Sequence, residues 1–242
     1  MRARLHGRDD VLPSPNLWHW PEVYAVENRA QDVHDEIWRV LGELCDWRDR
    51  DVVDVGCGDG FHLPRFAETA RTVVGVEPYE PLVRRAEQRI GELPGASVIN
   101  GSAQRLPLAD ASADVVHART AYFFGPGCEP GLREADRVLR PGGALVIVDL
   151  DAAHRPYGDW MRADLPSYDP AEVEKFFALK GFQCRRVVTE WRFDSRDDLA
   201  AVLRIEFSQR VAERAVAEAV GLSLPVGYRV HVRRKPTGLV VP

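Results

Sequence analysis

Cysteine is scarce in this chain. Cys45, Cys57, Cys128 and Cys184 are the whole complement in 242 residues, and none forms a C-x-x-C pair. Such spacing gives no disulfide framework. The seven histidines are as scattered, so no metal site is expected. No apolar stretch approaches the ~20 residues that span a membrane. The opening M-R-A-R-L-H-G-R-D-D carries charge but no apolar core, so no signal peptide is expected. Reduced thiols and a cytoplasmic location follow as expectations. Basic character is also lacking: the net charge is -5. That disfavours a nucleic-acid partner, which would leave a basic footprint. No repeat, low-complexity tract or linker divides the chain into independent domains.

What is present is an alternation of short apolar runs with helical patterns. Strands are predicted at 51–55, 72–77, 96–100, 113–118, 144–149, 182–188 and 228–234. Helices are predicted at about 59–70, 81–93 and 129–139. Asp169-Pro170-Ala171-Glu172 supplies an N-cap, a proline at the first helical position and an acid, so a helix runs from there to Gly181. Another helical region spans about 195–220. One or two helices precede the first strand. Before them, Pro13, Pro15 and Pro21 flank Trp18, His19 and Trp20, which reads as an irregular arm folded onto the body. This pattern predicts an α/β fold with a doubly wound, seven-stranded, mostly parallel sheet. Residues 1–48 form an arm and helical cap, and 49–242 the main domain with a helical insertion at 195–220.

The informative stretch is D-V-V-D-V-G-C-G-D-G, residues 51–60. A strand runs into Gly56, Gly58 and Gly60, and the next strand ends in Glu77. Dinucleotide sites use G-x-G-x-x-G to bring a pyrophosphate onto a helix N-terminus. Here the spacing is G-x-G-x-G, and Asp54 stands two residues ahead. An acid there repels phosphate and suits an ammonium group. Glu77 can accept from two ribose hydroxyls with its two oxygens. S-Adenosylmethionine carries both groups and no phosphate, so the pair of acids favours the methyl donor over NAD.

The sequence resembles the class I S-adenosylmethionine-dependent methyltransferases, of the small-molecule type near the ubiquinone/menaquinone-biosynthesis enzymes. The resemblance rests on D-V-V-D-V-G-C-G-D-G, V-V-G-V-E-P, A-D-V-V-H-A-R-T, E-A-D-R-V-L-R-P-G-G-A-L-V-I-V-D and K-G-F, in order over about residues 50–190. It implies that Asp54 faces the donor's amino group. Gly56, Cys57 and Gly58 let the backbone approach the methionyl part, and Gly60 opens the helix. Glu77 holds the ribose, with Pro78 and Tyr79 edging the adenine. Ala103 offers an N–H to the adenine, and Arg119 meets the methionyl carboxylate. The arm closes over the donor, which makes Tyr24 a candidate for lining the site beside Trp18 and Asn28. Two departures stand out. Many relatives carry an acid where this chain has Ser102; either the bond to the adenine is weaker here or Gln104 takes its place. The family's frequent His-His after the fourth strand is Phe123-Phe124, which suits a flatter, less polar acceptor.

Transfer from a sulfonium needs alignment more than acid–base chemistry. No residue marks itself as an obligatory base; His117 is the one candidate, a structural histidine being the plainer alternative. His19 and His154 flank the presumed cleft. Tyr122, Phe123 and Phe124 either line the acceptor pocket or pack in the core. Cys57 reads as a small spacer, not a nucleophile. Arg229, Arg233, Arg234 and Lys235 read as the solvated end of the last strand. The function expected is methyl transfer to a small organic acceptor, by a monomer or homodimer. A non-catalytic binding module of the same fold and an NAD-linked oxidoreductase are the competing classes.

Overall fold

The computed structural model describes residue 11 and residues 14–238. Pro13, grouped above with the arm, lies outside the described residues, as does the charged stretch 1–10. The rest of the arm is helical, not irregular. Pro15 and Pro21 each take a first-turn position, where a missing N–H costs nothing, and start α1 (Pro15–His19) and α2 (Pro21–Ala30). Then comes α3 (Glu36–Leu44). Both Asp32 carboxylate oxygens accept from the Ile37 N–H, and one also accepts from the Thr189 hydroxyl at 2.8 Å. The cap is thereby tied to the far edge of the sheet.

The body alternates as expected. β1 (Asp51–Val55), α4 (Leu63–Ala67), β2 (Thr72–Glu77), α5 (Glu80–Ile90), β3 (Ala96–Asn100), β4 (Ala113–Arg119), α6 (Glu129–Val138) and β5 (Leu139–Leu150) form the first half. α7 (Tyr157–Asp164), α8 (Pro170–Leu179), β6 (Gln183–Arg192), α9 (Arg196–Glu206), α10 (Gln209–Glu218) and β7 (Ser223–Arg234) complete it. The seven strands lie in the order β3-β2-β1-β4-β5-β7-β6. β7 runs antiparallel to both of its neighbours; the other pairs are parallel. This is the doubly wound, mostly parallel sheet that the alternation predicts. β5 shows why its run is apolar throughout. Ala144, Val146 and Val148 point into one core cluster, Leu145 and Ile147 into the other. Among the described residues no helix is long and apolar enough to cross a membrane.

Several boundaries differ from expectation. The helix placed at 59–70 is only α4, because the glycine turn extends further than the motif suggested. Gly60 sits in that turn at φ +78°, three residues before the helix, so it does not open it. β5 begins at Leu139: Arg140-Pro141-Gly142-Gly143 enters the strand through a register shift opposite Ala113–Val115. β6 and β7 are longer than read, and Gly227 lies inside β7, where a Cβ would fall 2.4 Å from the His154 Cβ. α7 was not anticipated.

The basic end of β7 is the clearest correction, although Arg234 stays exposed. Arg229 is 0% exposed. Its guanidinium donates to Asp149 (3.3 Å), the Tyr168 hydroxyl (2.5 Å) and the carbonyls of Leu150 and Pro170. Arg233 pairs with Asp136 at 2.5 Å. Arg234 donates to the Leu44 carbonyl at the end of α3, and Lys235 to those of Asp136 and Leu139 at the end of α6. Cations are favoured at helix C-termini. These residues therefore lock helices to the sheet, because β7 lies between β5 and β6 and not at an edge.

Candidate functional site

The chain leaves β1 toward β2 on one side of the sheet, while β4 leads to β5 on the other. Between β1 and β4 the strand order reverses, which opens a crevice at the carboxyl ends of the strands. A cavity of about 590 Å³ occupies that crevice, within the ~300–1,000 Å³ usual for small-molecule sites. Its floor is the turn after β1, with Gly56, Cys57 and Gly58; Glu77 and Pro78 come from the end of β2. Ser102 and Ala103 follow β3, and Arg119 closes β4. Tyr24 and Asn28 face it from α2, Trp18 from α1. Residues as far apart in sequence as Trp18 and Arg119 thus converge on one space.

The glycines are required by geometry. Gly56, Gly58 and Gly60 have φ of +73°, +59° and +78°, values that side chains disfavour. A Cβ on Gly56 would also fall 2.6 Å from the Ala121 Cβ, and one on Gly58 2.8 Å from the Leu17 Cδ2. α1 therefore lies against the turn and roofs the cavity. The Cys57 thiol points at Gly75, 2.7 Å from where a Cβ would sit there. Burial pushes that thiol well up, which suits a spacer and not a nucleophile. Replacing Gly56 by alanine is expected to cost about 1–3 kcal/mol from strain and overlap; urea unfolding measures the loss.

Glu77 is the centre of the wall. Its Oε2 accepts from the Gly58 N–H at 3.1 Å and its Oε1 from the Tyr79 N–H at 3.0 Å. The side chain is thus fixed with lone pairs left for a ligand. Burial dominates its proton affinity and pushes the carboxyl up to about 7, against the pull of the two N–H groups. The Asn100 amide holds the carbonyls of Glu77 and Pro78 at 3.1 Å each.

Asp54 stands behind the wall. It pairs in register with His117 on β4, and its Oδ1 lies 2.7 Å from the His117 Nδ1, both residues buried. Neither lines the cavity. The carboxylate expected to face the donor's amino group is engaged with a neighbouring histidine, and His117 itself is enclosed, with Phe66 edge-on at 5.0 Å. Tyr79 is also off the wall, stacked on Trp18 at 4.3 Å, so the two clamp the arm to the end of β2. Gln104 and Gly60 do not reach the wall, nor do His19 and His154. Phe123 is core, while Phe124 and Tyr122 line the mouth.

Arg119 is 8% exposed; it donates to Gln31 at 2.8 Å and lies over the Tyr228 ring, while its Nε is buried without a partner. The loop that follows is strained: Thr120 and Tyr122 have φ of +46° and +53°. Non-glycine residues held there concentrate at functional sites. Gln31, Thr120 and His62 were not anticipated on the wall. Burial holds the His62 imidazole well below its ordinary range, hence neutral. Only its place two residues after Gly60 could have signalled it.

Fold and cavity define a nucleoside-binding doubly wound domain, and the comparisons with known proteins agree. Residues 53–147 match the family described as methyltransferase domain. An uncharacterized methyltransferase of Synechocystis is 32% identical over 151 residues, 60% of this chain and 68% of the relative. A probable S-adenosylmethionine-dependent methyltransferase of Mycolicibacterium smegmatis is 32% identical over 51% of this chain and 46% of the relative. Among solved structures, the YcgJ protein of Bacillus subtilis aligns with a TM-score of 0.61 at 19% identity, over 85% of this chain and all of its own length. The chain belongs to the class I S-adenosylmethionine-dependent methyltransferases. It spans less than half of the length of some curated relatives, the Mycolicibacterium protein among them.

Proposed function

We propose that this protein transfers a methyl group from S-adenosylmethionine to a small organic acceptor by in-line displacement. The observation that carries the reading is Glu77, fixed by two backbone N–H groups at the wall of a roofed cavity. Bound S-adenosylmethionine supplies a methyl group already activated on sulfonium. The residues present fit it. Glu77 takes the ribose hydroxyls. Pro78, Ser102 and Ala103 border the adenine. The bare Cα atoms of Gly56 and Gly58 admit the methionyl chain, and the unpartnered Arg119 Nε meets its carboxylate. Asp54 acts from behind the turn, through its hold on His117.

The chain's remaining task is alignment and exclusion of water. α1 and α2 serve this as a lid over the main domain, in keeping with the division at residues 48 and 49. A roofed cavity of this size favours a small acceptor over a polymer, and the net charge of -5 points the same way. The free thiols suit a cytoplasmic enzyme. Incubation with methyl-labelled donor and a pool of small metabolites tests the reading: label should appear in a small compound. Donor binding with no labelled product would favour a binding module of the same fold.

A further inference from the structure

A second cavity, of about 140 Å³, adjoins the cleft and shares Ser14, Asn16, Tyr24, Gln31 and Thr120 with it. Its own walls are Glu27 from α2, Glu206 from the end of α9, and Leu150, Trp191 and Tyr228. Two carboxylates meet here among neutral polar side chains (Ser14, Asn16, Gln31 and Thr120) and aromatic rings. Glu206 is satisfied by neutral donors, the Asn16 amide and the Tyr157 hydroxyl, each at 2.6 Å. Glu27 is 4% exposed; its Oε1 accepts from the Gln31 amide at 2.9 Å, while its Oε2 is buried without a neutral donor, and the two carboxyls are close enough to share one hydrogen bond when one of them is protonated.

The charges do not balance. Arg119 is the cation whose field reaches Glu27, so two carboxylates against one guanidinium leave one negative charge over. An unbalanced buried charge is costly, and a proton or a cation must offset it. Without a cation it is a proton: burial, then repulsion from Glu206, pushes Glu27 well above the ordinary carboxylate range. A hard metal ion is usually held by several carboxylates, and among the described residues no three acidic, histidine or cysteine side chains gather as metal ligands. The walls offer instead two carboxylates beside the rings of Tyr24, Trp191 and Tyr228, the surroundings that attract an organic ammonium.

We propose that this cavity holds an ammonium group of the methyl acceptor, so that the substrate class is small organic amines bound as cations. The inference rests on the methyltransferase reading above for the word acceptor, though not for the ammonium site itself. The apolar remainder of the molecule then lies in the cleft near Phe124 and Leu165, which line its mouth. Glu27 and Glu206 select the substrate and position it without touching the transferred methyl.

The test is calorimetry with 2-phenylethylamine and its neutral isostere 2-phenylethanol, on the free protein and on the protein saturated with S-adenosylhomocysteine. The amine should bind at least about tenfold more tightly than the alcohol, as a charge-assisted contact requires. Glu27→Gln and Glu206→Gln should each erase that preference while S-adenosylhomocysteine affinity stays as in the wild type. Equal binding of the two probes by the wild-type protein, or binding of neither, overturns the ammonium site. A variant that keeps the preference overturns the role of that carboxylate. Loss of S-adenosylhomocysteine binding in the wild type, with the amine still preferred, instead overturns the methyltransferase reading.

Discussion

Glu77→Ala weakens S-adenosylhomocysteine binding by roughly 100-fold. The estimate takes two hydrogen bonds to a charged acceptor at about 1.5 kcal/mol each, or ~3 kcal/mol together. The loss is concentrated in one side chain because its geometry is set before ligand arrives, by the N–H groups of Gly58 and Tyr79. Glu77→Gln keeps one acceptor oxygen but turns an amide toward one of those N–H groups, so it should fall between wild type and alanine. Calorimetric titration at pH 8 gives all three affinities.

The same carboxyl makes binding depend on pH. Burial raises it to about 7 in the free protein, whereas ribose hydroxyls favour the ionised form. At pH 6 the carboxyl is mostly protonated and ligand binding must expel that proton. Affinity therefore rises by roughly tenfold from pH 6 to pH 8, and this rise disappears in Glu77→Gln. The sign for stability is opposite. Below the ordinary carboxylate pKa Glu77 costs the fold nothing; as pH climbs toward 7 the unfolded chain ionises first, and the ligand-free protein loses stability. S-Adenosylhomocysteine should offset that loss, which thermal unfolding across pH 5 to 8 would register.

The other large effect lies away from the cavity. Arg229→Met is expected to cost about 3–5 kcal/mol, because it strips Asp149 of its buried counter-charge. Burial already pushes Asp149 up to about 6 even with that guanidinium beside it. The double change Arg229→Met with Asp149→Leu removes both charges and should recover most of the loss. Urea unfolding of the two variants decides; a single-variant loss under about 1 kcal/mol would mean that the pair is not what holds β7 in place.

How much of this was legible before the fold was known depends on the range of the signal. The glycine turn, Glu77 and the strand alternation are local, written within 30 residues, and the parallel sheet followed from them. Asp54 was legible as an acid at the turn, but its partner His117 is set by strand register, which the local pattern does not carry. Y-R-V-H-V-R-R reads as a strand with a charged end, and only its insertion between β5 and β6 buries Arg229. α7 was hidden by Pro156 and Gly158, which look like loop punctuation. Glu27 and Glu206 were not singled out in the sequence, yet each extends an apolar stripe: Val23, Val26 and Ala30 around the first, Leu199, Val202 and Leu203 before the second. A carboxylate in register with such a stripe is a readable sign of a buried acid.

The central claim is that Glu77 receives the ribose of the methyl donor in the cleft between β1 and β4. A crystal structure of the complex with S-adenosylhomocysteine tests it most directly. Both ribose hydroxyls should lie within about 2.6–3.2 Å of the Glu77 oxygens, with the methionyl chain over Gly56 and Gly58. A ligand bound elsewhere, or in the cleft with its ribose turned from Glu77, would contradict the account.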